Sequence, residues 1–232
     1  MRSQDPNMAK VELIARALGD LRGKVVFVGG CSVGILLTDT AASPARVTYD
    51  VDLISQVTAL AGFYHLEREF DKLGFKRDMS KDAPICRWHY QGIEVDLMPT
   101  DPLILGFSNC WYPMVVQTAT SLVLPSGNTI QIISAPAFIA TKFEAFADRG
   151  KSDLLASHDL EDIINVVDGR PELLKEIVAS PIDLKTYLRE KTTQLLAMPR
   201  FDDALVGMIF PDEFLAERVQ IVRKRLTDIA QL

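Results

Sequence analysis

Cysteine is scarce in this chain: Cys31, Cys86 and Cys110 are odd in number, far apart, and form no CxxC pair. That excludes a disulfide framework and the usual zinc spacings, and it points to a reducing compartment. Long apolar runs are also missing. The uncharged stretch Val25 to Thr38 has 14 residues and contains Gly29, Gly30 and Gly34, against the ~20 apolar residues of a membrane-spanning helix. Met1 to Asn7 carries no apolar core, so it does not read as a signal peptide. With 13 glycines and 12 prolines there is too little of either for a collagen-like or low-complexity chain, and there is no internal repeat or long linker. These absences together predict a cytoplasmic protein with no membrane partner. Met8-Ala9-Lys10 reads as a natural start, which makes the seven residues before it a candidate addition.

What is present is ordinary globular material: 232 residues, 48% hydrophobic and 24% charged. This is enough for one large or two small domains with a core that needs no staples. The net charge of −6 argues against nonspecific coating of nucleic acid and leaves room for a local basic cleft.

Periodicity divides the chain near residue 134. Val11 to Leu21 reads as an amphipathic helix ended by Gly23, and Val25 to Val28 as a buried strand broken by Gly29-Gly30. Cys31 to Leu37 reads as a short buried helix, Val47 to Ile54 as a strand, and Val57 to Leu73 as a helix stopped by Gly74. Ile85–Tyr90 and Ile93–Met98 form a hairpin turning at Gln91-Gly92, and Val115 to Leu124 reads as another strand with its turn at Ser126-Gly127-Asn128. Beyond Ala135-Pro136 the signal is helical, at about 136–148, 157–168, 171–178, 184–196 and 212–229. The expected fold is α/β (α+β), a mixed-sheet domain over 8–134 followed by a helical domain over 135–232.

Three features of the first half carry chemistry. Gly29-Gly30-Cys31-Ser32 lies where a strand meets a helix, so backbone N–H groups there could face a phosphate; two glycines could equally serve tight packing. In Arg46-Val47-Thr48-Tyr49-Asp50-Val51-Asp52-Leu53, period-two alternation puts Thr48, Asp50 and Asp52 on one face, the two carboxylates roughly 6–7 Å apart at the backbone. Paired aspartates are disfavoured in strands, and a shared cation would offset their repulsion. In Ile93-Glu94-Val95-Asp96-Leu97-Met98, Asp96 points away from the apolar face beside Glu94. If this strand neighbours the Asp50 strand, Asp96 completes a three-carboxylate site suited to Mg²⁺ or Mn²⁺, not zinc.

This pattern of Gly-Gly after a strand, Asp-x-Asp on the next strand and one more Asp on a later strand resembles the DNA polymerase β-like nucleotidyltransferases. Further on, Ala140 to Asp153, with Lys142, Arg149 and Lys151, and Ser157-His158-Asp159-Leu160-Glu161-Asp162-Ile163 resemble the Lys- and Asp-containing helices of AbiEii-like nucleotidyltransferases. That group includes toxins of type IV toxin–antitoxin systems. The similarity spans about Val25 to Gly169. This chain has Cys31-Ser32 where a Thr-Ala or Ser-Ala pair is commoner, and His158-Asp159 where the toxins often have Arg-Asp.

The resemblance implies transfer of a nucleoside monophosphate from a bound nucleoside triphosphate to an acceptor hydroxyl, with RNA or tRNA as one acceptor class and an antitoxin protein as a partner. It implies catalytic roles for Asp50, Asp52, Asp96, Lys142 and Asp159, metal binding by Asp50, Asp52 and Asp96, and nucleotide binding by Gly29, Gly30, Ser32, Arg46 and Lys142. A small-molecule or protein acceptor is the alternative within enzymes, and a noncatalytic nucleotide-binding protein is the alternative outside them. Plainer readings stand beside these. Lys142, on the row with Phe138 and Phe146, could simply lay its stem on apolar surface. Ser157 and Asp159 could serve only to start their helix. Arg218, Arg223, Lys224 and Arg225 read as a solvated basic face, with RNA contact the lesser alternative.

Overall fold

The computed structural model describes residues 5–55, 57, 59–149, 154 and 156–232; Gly150, Lys151, Ser152 and Asp153, quoted above, lie outside them. By internal contacts the chain divides into two units. One comprises Asp5–Ser32 and Arg46–Ser134 and holds the sheet. The other comprises Val33–Ala45 with Ala135–Leu232 and is helical. Among the described residues no helix is long and apolar enough to cross a membrane.

The sheet unit begins with α1 (Met8–Leu18), whose Val11, Ile14, Ala15 and Leu18 are buried at helical spacing. Gly19 closes this helix with φ +52°, and the chain continues as a 3₁₀ segment to Lys24. The helix therefore stops four residues before the expected Gly23, because Gly19 supplies the positive φ a helix end favours. Seven strands follow: β1 (Val25–Val28), β2 (Asp50–Ser55), β3 (Lys76–Arg77), β4 (Arg87–Tyr90), β5 (Ile93–Pro99), β6 (Thr120–Val123) and β7 (Thr129–Ile132). They form one mixed sheet in the order β3-β4-β5-β2-β1-β7-β6. The central strands bury Phe27, Val51, Leu53, Val95 and Leu97. At the β3–β4 end of the sheet lies α3 (Leu60–Lys72), whose Phe70 packs against Phe75 and Trp88 with ring centroids 4.6 and 5.7 Å away; the helix is followed by Gly74 at φ +92°.

Two expectations need correction here. Val115–Thr118 is helical, in α5 (Tyr112–Thr118), after the short α4 (Pro102–Leu105); only Thr120–Val123 of that stretch is strand. Pro113 suits the first turn of a helix, and the Thr118 hydroxyl donates back to the Met114 carbonyl at 2.9 Å, so local bonding overrides the β preference of Thr and Val. The other is β7, which the sequence reading passed over although Ile130 and Ile132 alternate with Thr129 and Gln131; it pairs in parallel with β1 and antiparallel with β6.

The helical unit contains α2 (Val33–Leu36), α6 (Ala135–Arg149), α7 (His158–Gly169), α8 (Leu173–Ala179), α9 (Ile182–Leu196), α10 (Phe201–Met208) and α11 (Leu215–Ala230). α10 escaped the sequence reading, although Phe201, Ala204 and Leu205 form its buried stripe. The 33–45 segment is tied to the carboxyl end of α7. The amides of Thr38 and Asp39 both donate to the Gly169 carbonyl at 2.9 Å, and Arg170 Nη1 donates to the Leu36 carbonyl at 2.6 Å. A Cβ at Gly169 would lie 2.5 Å from Leu37 Cδ2 and 3.2 Å from Ala42 Cβ, so a side chain there would push Leu37 aside.

The basic run on α11 is not simply a solvated face. Arg218 pairs with Asp39 at 2.9 Å and Asp168 at 2.8 Å, and Arg225 donates to the Val167 and Asp168 carbonyls. Arg223 pairs with Asp202, and Lys224 with Asp228. Two arginines therefore satisfy carbonyls at the end of α7 that the helix itself leaves open.

Candidate metal centre

The site grows from three neighbouring strands of the sheet unit. β1 and β2 run antiparallel with Val28 opposite Asp52, and β2 and β5 run parallel with Asp50 beside Glu94 and Asp52 beside Asp96. The Asp96 strand does neighbour the Asp50 strand. Because side chains alternate, Asp50, Asp52, Glu94 and Asp96 share one face while Val51, Leu53, Val95 and Leu97 face the core.

One carboxylate oxygen each from Asp50, Asp52 and Asp96 lie within 4.8 Å of one another. Opposite ligands of an octahedral Mg²⁺ stand about 4.2 Å apart, twice an Mg–O distance of ~2.1 Å. The triad is thus within a small side-chain adjustment of closing on such an ion, and an all-carboxylate donor set suits Mg²⁺ or Mn²⁺.

The backbone around the triad is shaped for it. Gly29 has φ +69°, and a Cβ at this position would come 1.7 Å from Asp52 Oδ2, so any side chain would displace that carboxylate. Gly30 is buried, and a Cβ on it would stand 3.1 Å from Arg46 Nη2 and 3.4 Å from Thr48. Ser32 is fully buried, and its hydroxyl makes no hydrogen bond of good geometry among the described residues. The segment entering β2 is clamped by Asn7, which donates to the Arg46 carbonyl at 2.9 Å and accepts from the Thr48 amide at 3.0 Å. Lys10 donates to the Thr48 carbonyl, and the Thr48 hydroxyl donates to Asp50 Oδ1 at 2.6 Å. Asn7 falls among the seven residues that read as an addition, yet it is fully buried and fixes the approach to Asp50.

Sequence reasoning also missed Arg87. It stands opposite Asp96 on β4, and its Nε and Nη2 donate to the two Asp96 oxygens at 2.9 Å each, while Nη1 pairs with Glu94 at 2.8 Å. The signal existed: a turn at Gln91-Gly92 that pairs Tyr90 with Ile93 places Arg87 opposite Asp96. Its hydrogen bonds to Asp96 hold the guanidinium above its ordinary pKa, against the opposing effect of burial. The negative field of the site reaches the nearby thiols. Burial first and the charge of Asp96 next push Cys86 up to about 12, and burial with the charge of Asp52 raises Cys31 as well.

Lys142 and Asp159 belong to the helical unit. Lys142 Nζ is buried and paired with Asp159 at 3.0 Å and Asp162 at 2.7 Å; Arg149, largely exposed, holds Asp159 from outside at 3.0 Å. Burial pulls the Lys142 pKa down, but the charges of Asp162 and Asp159 outweigh it, so the ammonium stays above its ordinary value. Ser157 caps α7 by accepting from the Leu160 amide at 3.2 Å. His158 is exposed and lies 3.2 Å from Glu161, a partner the sequence did not reveal.

No family model matches this sequence, and no curated protein sequence matches it. Among solved structures, the chain is similar to an antigenic nucleotidyltransferase-like protein from Paracoccidioides brasiliensis, at 22% identity and TM-score 0.50, covering 90% of this chain and 95% of that one. It also matches the antibiotic-resistance factor ANT(2'')-Ia at 16% identity and TM-score 0.49, covering 82% and 94%, and JHP933 from Helicobacter pylori at 11% and 0.47, covering 98% and 93%. The first of these likenesses is one of fold: a seven-stranded mixed sheet with helices, as in nucleotidyltransferase-like proteins.

Proposed function

We propose that this protein is a divalent-metal-dependent nucleotidyltransferase that moves a nucleoside monophosphate from a nucleoside triphosphate to an acceptor hydroxyl. The observation that carries the reading is the convergence of Asp50, Asp52 and Asp96 beside Gly29, where any side chain would displace Asp52. Bound there, Mg²⁺ or Mn²⁺ would steady the charge on the leaving pyrophosphate and ease ionisation of the attacking hydroxyl.

The chain's own residues do the rest. Asp50, Asp52 and Asp96 would hold the ion, and Asp96 takes the proton from the acceptor hydroxyl. That oxygen bonds to the α-phosphorus as the bond to the bridging oxygen breaks, and pyrophosphate leaves with the electron pair. Gly29 and Gly30 let a phosphate come close to the backbone, with Ser32 and Arg46 offering a hydroxyl and a guanidinium to its oxygens. The proposal keeps for Lys142 the catalytic and nucleotide-binding roles, and for Asp159 the catalytic role, that the resemblance implies.

The acceptor we propose is an RNA hydroxyl, tRNA included, and the protein partner a small antitoxin in the cytoplasm. The likeness of Ala140–Asp153 and Ser157–Ile163 to AbiEii-like nucleotidyltransferases, a group that includes type IV toxins, supports both. The test is incubation with each α-labelled nucleoside triphosphate, Mg²⁺, and either total RNA or a protein and metabolite extract. Label in RNA is the expected result. Label in a protein or small molecule replaces the acceptor, and no label with any acceptor, together with no thermal shift on adding triphosphate, overturns the transferase reading.

A further inference from the structure

Three carboxylates within 4.8 Å of one another repel, and in the cation-free protein something must hold them in place. Arg87 is built for that. It lies in the same cross-strand row as Asp52 and Asp96, on the neighbouring strand β4. Its planar fork meets Asp96 in the bidentate geometry that fixes a carboxylate's rotation as well as its place. Its remaining Nη1 reaches Glu94, so one guanidinium sets two acids side by side. The arginine side chain is only 20% exposed, which weakens water's screening of these contacts.

We propose that Arg87 is the positioning residue of the triad: its guanidinium aims Asp96 at Asp50 and Asp52 and supplies positive charge that lets the carboxylates converge before a divalent cation binds. Each Asp96 oxygen has two lone pairs, and Arg87 uses one on each, so the aim persists when a cation takes another. The same charge opposes a second cation nearby. The protein therefore binds a free divalent ion weakly by itself, and more tightly when a triphosphate brings its own negative charge. This inference rests on the proposed metal-dependent transfer.

The test measures Mn²⁺ binding without nucleotide, by titration calorimetry and by electron paramagnetic resonance of the free ion, on the full chain and three variants. The wild type should bind Mn²⁺ and Asp52→Asn should not; a wild type that binds none overturns the metal reading and this inference with it. Where the wild type binds, Arg87→Met should bind at least threefold more tightly, because the opposing charge is gone. Its thermal midpoint in chelator should fall, and Mn²⁺ should raise that midpoint more than in the wild type. Arg87→Lys, which keeps the charge but loses the fork, should keep Mn²⁺ affinity within twofold of wild type while nucleotidyl transfer drops at least tenfold. An arginine that merely braces the sheet would lower the thermal midpoint of Arg87→Met, leave its Mn²⁺ affinity within twofold of wild type and leave transfer by Arg87→Lys undiminished, and that result overturns the positioning role alone.

Discussion

In the helical unit, gathered carboxylates face matched cations: Asp159 and Asp162 close on Lys142, and Asp39 and Asp168 on Arg218. In the sheet unit, Asp50, Asp52 and Asp96 face one another, with a hydroxyl on Asp50 and a guanidinium on the far side of Asp96. The same residue type thus does opposite work. Ion pairs at the first location neutralise buried charge and join α6 to α7. Like charges at the second create a demand for positive charge that a bound ion can meet. The difference between a structural acid and a ligand acid is whether the fold has already supplied the countercharge.

That contrast breaks most visibly at Lys142. Replacing it with methionine takes from Asp159 and Asp162 the buried ammonium they share, with the largely exposed Arg149 still on Asp159, and loss of one partner of a buried pair costs about 3–5 kcal/mol. Denaturant unfolding of Lys142→Met should show a loss of that order, partly regained in Lys142→Met with Asp162→Asn. A neutral result would mean that the helical acids, too, are unbalanced.

The sheet unit should respond in the opposite sense. Asp52→Asn should cut transfer by roughly 10²–10³-fold, the size associated with one lost electrostatic contact in a transition state. Its metal-free stability should be unchanged or higher, since repulsion is relieved. A variant with full activity would remove Asp52 from the metal centre.

A smaller effect separates the two clusters directly. Mg²⁺ or Mn²⁺ with a triphosphate should stabilise the wild type by about 2.7 kcal/mol at a hundredfold excess over Kd. The shift should vanish in Asp52→Asn. Calcium should support turnover poorly, its coordination being larger and looser.

The smallest effect is in alkali. Because the folded protein holds the Lys142 proton more tightly than the unfolded chain, its pairing stabilises fully below the ordinary value of 10.5 and is lost as pH rises through the higher folded value. Unfolding free energy should therefore decline above about pH 10.5 in the wild type, and less steeply in Lys142→Met. Equal slopes would mean that Lys142 does not carry this dependence.

The Asp-x-Asp alternation, the isolated Asp96 and the turn at Gln91-Gly92 are local patterns, and period two alone told which side chains would share a face. The helices of the second half were legible for the same reason, since Ile139, Phe143 and Phe146 repeat with the helical period and are buried. Asn7 gave no such signal, because its two hydrogen bonds reach residues about forty positions away. Val115–Thr118 misled because composition was weighed without the proline and the back-bonding threonine that make it helical.

What the sequence by itself determined is the alternation, the helix stripes and the carboxylate inventory, all set by neighbours within a few residues. Only the tertiary structure decided that β7 would pair with β1, that Gly29 would press on Asp52, and that Lys142 would be enclosed by Asp159 and Asp162. The reason is physical. A side chain's charge and face are local properties. Whether its charge is met by a partner depends on burial and on residues brought near by folding.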